Sequence, residues 1–380
     1  MSASPKAPDG ALAPLLERFR SGQTAALARA ISIVESERPG FQDLLHAVLA
    51  RGPSARRVGF TGPPGAGKSS LLAALATAYR ERGERVGVVA VDPTSPYSGG
   101  ALLGDRIRMN DLATDPGIFI RSMASRGSLG GLATTTKEVL DLVDRFGFEN
   151  VLVETVGVGQ TELEITAAAD TVVVVLVPES GDAIQAMKAG LMEIADVFVV
   201  NKADRPGAAR LVKEIRQALH LREGRALGDV PAHHGVDLGA VARAADDARQ
   251  RQVGAQRPEP AGEGGAGGHD EPVGDRASAT SASWEIPVLT TNALTNEGLA
   301  DLVAAIDRHR TWLESSGELV TRRRQRARGR IRDVVDRELR RVAWSSDATA
   351  QALDAGVGRI ERGEASPYSV AREILARLLR

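Results

Sequence analysis

The sequence predicts an α/β protein: a doubly wound, mostly parallel sheet with a helical extension ahead of it and a helical arm behind. Three observations carry that expectation. Short β-branched runs alternate with stretches of helical apolar spacing through the centre of the chain, which is the pattern of repeated βαβ units. The first 50 residues show helical spacing alone, and apolar stripes of helical period return after residue 314.

Leu12, Leu15, Leu16 and Phe19, then Leu27, Ile31 and Val34, then Leu44, Leu45 and Val48 set the helices of the extension, residues 1–52. The central domain, 53–313, follows. Its expected strands are Arg57–Thr61, Arg85–Asp92, Ile118–Met123, Asn150–Val156, Thr171–Pro178, Val197–Asn201 and Ile286–Thr290, and its expected helices Ser69–Arg82, Leu132–Phe146, Asp182–Ile194 and Glu297–Arg310. Between residues 223 and 283 the periodicity collapses into Gly, Pro, Ala, Ser and charge, the composition of a flexible insertion. Because Ile286–Thr290 resumes the strand pattern, the insertion interrupts one domain instead of separating two. The arm, 314–380, holds an Arg-rich stretch, Thr321–Trp344, with Ile331, Val334, Val335, Leu339 and Val342 on one stripe. Val370, Ile374, Leu375, Leu378 and Leu379 form another. Such stripes outside the sheet need covering, and a second subunit is the simplest cover.

With 380 residues, 43% of them hydrophobic, and a net charge of -1, the chain is long enough for a substantial core and is not a disordered protein. The apolar run Val172–Val177 is far short of the ~18 residues of a membrane helix, and the N-terminus lacks an apolar signal core, so a soluble intracellular protein is expected. Zero cysteines exclude a disulfide scaffold, a thiolate nucleophile and a thiolate metal site. Balanced charge argues against nucleic acid, and the few aromatics offer little to stack bases, so the Arg-rich helix reads as the solvated face of a dimer arm, with contact to an acidic partner as the next reading. Six lysines stand against 42 arginines, which makes each lysine a position where a compact ammonium matters.

Gly62-Pro63-Pro64-Gly65-Ala66-Gly67-Lys68-Ser69, followed by Ser70, comes straight after a strand and opens a helix. Spacing and context are those of a P-loop. Its glycines let backbone N–H groups surround phosphates, Lys68 reaches the β- and γ-phosphates, and the Ser69 hydroxyl ligates Mg²⁺. Asn201-Lys202-Ala203-Asp204 sits at the end of an apolar strand, where open α/β sheets bind ligands. Asp204 can accept from both N1–H and the exocyclic amine of guanine, a donor pair that adenine lacks. Lys202 would lay its stem on the base and Asn201 would tie the loop. At the end of the next strand, Asn292 and Ala293 sit where a backbone N–H could reach guanine O6.

Glu154-Thr155-Val156-Gly157 occupies the place of the turn that senses the γ-phosphate, with Glu154 a magnesium candidate and Gly157 the turn glycine. Val158 stands where Ras-type enzymes carry a water-orienting Gln, and Gln160 lies two residues beyond. Asp92 and Asp105, on loops leaving the same edge, are further candidates for a magnesium ligand or a water-orienting group. The run Pro178–Lys188 contains Asp182, Gln185 and Lys188 beside Gly181, a hinge, and is a candidate switch.

Taken together, these motifs with Val91-Asp-Pro-Thr-Ser95, Gly104-Asp-Arg-Ile-Arg-Met109, Glu154-Thr-Val-Gly-Val-Gly-Gln160 and Met187–Asp196 resemble the methylmalonyl-CoA mutase-associated G proteins, the MeaB/ArgK family. The resemblance runs from the Ala25–Ser32 helix through Arg310 and more loosely over the arm. It departs in the long segment 223–283, and in Thr291-Asn292-Ala293 where the family has a Ser-Ala pair. It implies a cytoplasmic homodimeric GTPase that binds GTP or GDP with Mg²⁺ and chaperones an adenosylcobalamin-dependent acyl-CoA mutase, gating cofactor loading and reactivation, with a cobalamin adenosyltransferase as a further partner. By the same resemblance Asp105 and Glu154 fall on the magnesium side, and 178–188 on a switch facing the mutase. The alternative is a kinase or transport-linked nucleotidase of the ArgK label, for which no acceptor-binding constellation is visible. A nickel-insertion GTPase would need Cys or His clusters that the sequence lacks.

Overall fold

The β-branched runs of the central domain form the strands. The computed structural model describes residues 12–92, 112, 114–124, 134–155, 164–178, 190–222 and 283–378. Among these, β1 (Arg56–Thr61), β2 (Val86–Asp92), β3 (Ile118–Ala124), β4 (Asn150–Glu154), β5 (Thr171–Leu176), β6 (Val197–Asn201) and β7 (Val288–Thr291) build one seven-stranded sheet in the order β3-β2-β4-β1-β5-β6-β7. Every neighbouring pair is parallel. β7 pairs with β6, so the chain after the 223–282 segment re-enters the same sheet.

Residues of alternate parity point to opposite faces of a strand, and here both faces are covered. Val172, Val174 and Leu176 of β5 join one apolar cluster, with α1 (Ala13–Arg20), α2 (Thr24–Glu35), α3 (Phe41–Leu49), α5 (Thr134–Phe146) and α6 (Ala208–Arg222). Val173, Val175 and Val177 join the other, with α4 (Lys68–Glu81) and α7 (Leu299–Ser315). The N-terminal helices therefore belong to the core of the sheet domain: Leu27, Ile31, Val34 and Leu44 are fully buried.

Most expected elements shift by only a few residues. The strand expected over Thr171–Pro178 ends at Leu176, that over Asn150–Val156 ends at Glu154, and that over Ile286–Thr290 runs from Val288 to Thr291, after Pro287. Of the helix expected over Asp182–Ile194, the described part holds a single helical turn, Met192–Ile194.

The arm comprises α8 (Glu318–Trp344), α9 (Asp347–Glu361) and α10 (Pro367–Leu378). Here the structure corrects the expectation of a solvated Arg face in part: Arg324, Arg328, Arg332, Arg340 and Arg341 are exposed, whereas Arg322, Arg323, Arg326, Arg330 and Arg337 turn toward the sheet domain. Asp170 and Asp196 immediately precede β5 and β6, at the N-terminal edge of the sheet. Arg322 donates to Asp196 Oδ2 (2.9 Å), Oδ1 (3.0 Å) and the carbonyl of Asp170 (2.9 Å), while Arg323 donates to Asp170 Oδ2 (3.1 Å). Arg326 also pairs with Asp170, and Arg310 of α7 reaches it from 3.3 Å. Farther along α8, Arg330 and Arg337 approach Glu138 Oε1 of α5 to 2.9 and 3.0 Å, and Asp333 pairs with Lys137 at 2.7 Å. These inward-turned arginines are held because buried carboxylates such as Asp170, Asp196 and Glu138 are costly to leave unpaired.

Of the apolar residues on α8, only Leu319 is buried. Ile331, Val335, Leu339 and Val342 are 64, 48, 62 and 53% exposed, so charge holds α8 to the sheet domain and the apolar stripe faces outward.

Candidate functional site

β1 delivers the chain into the Gly62–Ser69 loop, and α4 starts at Lys68, so the loop's N–H groups lie at the N-terminus of a 14-residue helix. Gly62 and Gly67 are required by the backbone. At Gly62 (φ +131°) a Cβ would stand 2.1 Å from the carbonyl oxygen of Val175, and at Gly67 (φ +85°) it would stand 2.4 Å from Asn201 Nδ2. Pro64 and Gly65 are exposed, Ala66 is buried, and Gly67 and Ser70 are half-buried.

The Lys68 ammonium, buried with its side chain, donates to the carbonyls of Gly62 (2.8 Å) and Pro63 (3.1 Å). It thus sits curled over the loop that it would share with phosphates. Ser69 Oγ donates to Glu154 Oε1 at 2.8 Å, and both side chains are buried. A hydroxyl and a carboxylate are the hard oxygen donors that Mg²⁺ takes. Two adjacent ligands at ~2.05 Å from such an ion lie roughly 2.9 Å apart, close to the separation already present. The residues fit the ion.

Asn201 ties three segments together. Its Nδ2 donates to the carbonyl of Ala66 (2.9 Å), and its Oδ1 accepts from Ala293 N (3.2 Å) and Thr291 Oγ1 (3.1 Å). Lys202, in the left-handed region at φ +56°, donates through Nζ to the carbonyl of Gly65 at 2.8 Å, spanning the space between loop and base side. Asp204 is exposed, and its Oδ1 accepts from Asn292 Nδ2 at 3.0 Å. The structure thus gathers Lys68, Ser69, Glu154, Asn201, Lys202, Asp204, Asn292 and Ala293 on the C-terminal edge of the sheet. Asp92 ends β2 on that edge, and its backbone alone is described. Asp105, Gly157, Gln160, Asp182, Gln185 and Lys188 lie outside the described residues.

Sequence reasoning passed over two threonines. Thr61 ends β1 and Thr155 follows β4, and their hydroxyls are 3.1 Å apart with both residues buried. The available signal was a hydroxyl at the last residue of one strand and at the first residue after another.

A parallel sheet with a P-loop opening a helix, and with Asn201, Lys202 and Asp204 two strands away, defines the class of P-loop nucleotide-binding proteins. The sequence model described as "Methylmalonyl Co-A mutase-associated GTPase MeaB" matches residues 27–348, and the chain belongs to that family of P-loop GTPases. A Pyrococcus abyssi protein named as a GTPase is 39% identical over 365 residues, covering 96% of each chain. The mouse protein named methylmalonic aciduria type A homolog, mitochondrial, is 41% identical over 197 residues, 48% of each chain. Among solved structures, one titled a LAO/AO transport system kinase superposes with a TM-score of 0.62 at 26% identity, covering 99% of this chain and 100% of its own.

Proposed function

We propose that this GTPase uses GTP with Mg²⁺ to gate cofactor loading and protection of an adenosylcobalamin-dependent acyl-CoA mutase. The observation that carries the nucleotide half is Asn201, whose side chain joins the P-loop carbonyl of Ala66 to Ala293 on the base side. The mutase half rests on the family match across residues 27–348.

In this reading phosphates enter against the N–H groups of 62–69, and Lys68 exchanges its two carbonyl partners for phosphate oxygens. Ser69 and Glu154 hold the ion, with Asp92 and Asp105 as further candidates. When bound, Mg²⁺ offsets the charge that develops on the phosphates during transfer. Asp204 selects guanine, Lys202 covers the base, and Asn292 and Ala293 close the ring side. Val158 offers no water-orienting group, so basal hydrolysis is slow and Gln160 acts only after its loop moves. Residues 178–188, with Asp182, Gln185 and Lys188, carry the partner's signal. The exposed stripe of Ile331, Val335, Leu339 and Val342 meets a second copy of the chain. A cobalamin adenosyltransferase would join as cofactor donor.

The test is single-turnover GTP hydrolysis with and without the cognate mutase, for wild type and Lys188→Ala. Stimulation of wild type that Lys188→Ala loses, with basal turnover kept, is expected. No stimulation of wild type removes the mutase from the account.

A further inference from the structure

We infer that Thr155 is a positioning residue that acts through Thr61 to set the Mg²⁺-side carboxylate against the P-loop; this rests on the nucleotide site proposed above. β1 and β4 run in parallel register as far as Phe60 opposite Glu154; β4 ends there, while β1 continues one residue further on its β5 side, where Thr61 pairs with Val174. Beyond Thr61 the chain becomes the phosphate loop, and Thr155 is the first residue after β4. The paired registers of β1 and β4 end at Phe60 and Glu154, so the spacing of Gly62 and Glu154 depends on what joins Thr61 and Thr155.

Three contacts join them. Thr155 N donates to the carbonyl of Phe60 at 3.1 Å, Thr155 Oγ1 lies 3.1 Å from Thr61 Oγ1, and the same hydroxyl lies 3.4 Å from the carbonyl of Phe60. A hydroxyl has one proton, so Thr155 can donate to the Phe60 carbonyl while accepting from Thr61, or donate to Thr61 itself. Either arrangement pairs both hydroxyls. Thr61 is 0% and Thr155 2% exposed, so water does not substitute for either.

The residues that gain from this pairing are the immediate neighbours. Gly62, next to Thr61, is pressed against the Val175 carbonyl and has no room to drift toward β5. Glu154, next to Thr155, must meet Ser69 Oγ at 2.8 Å. If the two strands spread at Thr155, the carboxylate moves while the serine, fixed on α4, does not. The hydroxyl pair therefore governs ion affinity more than base or phosphate affinity. Groups that orient metal ligands from behind typically change metal affinity or activity 10–100-fold when removed.

The experiment compares wild type with Thr155→Val, which keeps the β-branched shape and deletes the hydroxyl, Thr155→Ser, which keeps the hydroxyl, Thr61→Val and the double valine variant. Three quantities are read: affinity for a fluorescent GDP without divalent ion, Mn²⁺ affinity of the GDP complex by electron paramagnetic resonance, and Tm. Thr155→Val is expected to bind GDP alone within ~2-fold of wild type and to weaken Mn²⁺ by at least ~10-fold. Thr155→Ser should restore Mn²⁺ binding, and the double variant should be no worse than either single one, because both remove one contact. Unchanged Mn²⁺ affinity with a lowered Tm would make the pair merely structural and overturn the inference, as would failure of serine to rescue. If wild type itself bound no GDP, the nucleotide reading would fall first, and that result is distinct from any variant's.

Discussion

Asn292 donates its side-chain amide to Asp204 Oδ1 over 3.0 Å, from a loop on the neighbouring strand. The direction of the amide is fixed by its other end, because Asn292 Oδ1 accepts from Leu294 N at 3.1 Å. An exposed carboxylate is thereby held in one orientation before any base arrives.

Base choice follows from that carboxylate. Asp204→Asn should cost about 1.5–3 kcal/mol of GTP binding, since two charge-assisted hydrogen bonds are weakened, and should raise affinity for xanthosine triphosphate, whose ring presents an acceptor. Competition binding with both nucleotides measures it. Unchanged GTP affinity would remove Asp204 from the base site.

Lys68 should be separable from stability. Its ammonium donates to the loop carbonyls of Gly62 and Pro63, so Lys68→Ala is expected to keep the wild-type circular dichroism spectrum while losing GTP turnover by a factor of about 10² or more. An unfolded variant would show that the lysine is holding the loop together.

At Gly67 the two halves of the site touch. Gly67→Ala adds a Cβ that meets Asn201 Nδ2 and adopts a left-handed backbone, which costs roughly 1–2 kcal/mol before any displacement. Expected are a lower Tm and weaker binding of GDP together, measured by thermal shift and by titration. A variant that lost phosphate affinity but kept the wild-type Tm would mean that Asn201 does not brace the loop.

Acid should loosen the arm. Burial opposes the charge on Asp170, yet Arg326 and Arg323 beside it outweigh burial and hold the carboxyl well below its ordinary 3.8. Burial likewise opposes Asp196, and His309 and Arg322 again win, lowering it. A carboxyl depressed in the folded state contributes stability that is complete above 3.8 and fades as pH falls below it. Asp170→Asn, which leaves three arginines facing a neutral amide, should cost about 3 kcal/mol at pH 7 and flatten the acid limb of the stability curve. Hydrogen exchange across 318–330 between pH 3 and 7 follows it, and wild-type protection in α8 unaltered at pH 3 would refute the electrostatic account.

How much of this was legible in the sequence differs by physical cause. The P-loop and the Asn201–Asp204 segment could be read because their chemistry fixes residue type at fixed spacing along a continuous stretch. The strands could be read because parallel strands buried on both faces need apolar, β-branched runs such as Val172–Val177. The Arg clasp could not. Arg322 meets Asp196 across 126 residues and Arg323 meets Asp170 across 153, and an arginine bound for a carboxylate looks the same in sequence as one bound for water. The stripe on α8 was read as a surface in need of cover, and the structure leaves it exposed in the single chain. Thr61 and Thr155 escaped because a threonine in a strand is ordinary, and only the register of β1 on β4 makes the two adjacent.

The ends of the 223–282 segment are anchored side by side. Arg222 donates to the carbonyl of Met192, and Trp284 donates through Nε1 to the carbonyl of Asp196 at 2.8 Å, so both ends grip the same five-residue stretch ahead of β6. The free energy of joining two such anchors grows only logarithmically with the length of chain between them, by about 0.6 kcal/mol per doubling. Length can therefore be added or removed between them at little thermodynamic consequence. This seam is where a reporter domain could be grafted between Arg222 and Trp284 while β6 and β7 remain paired and the nucleotide edge, at the other end of the strands, stays clear.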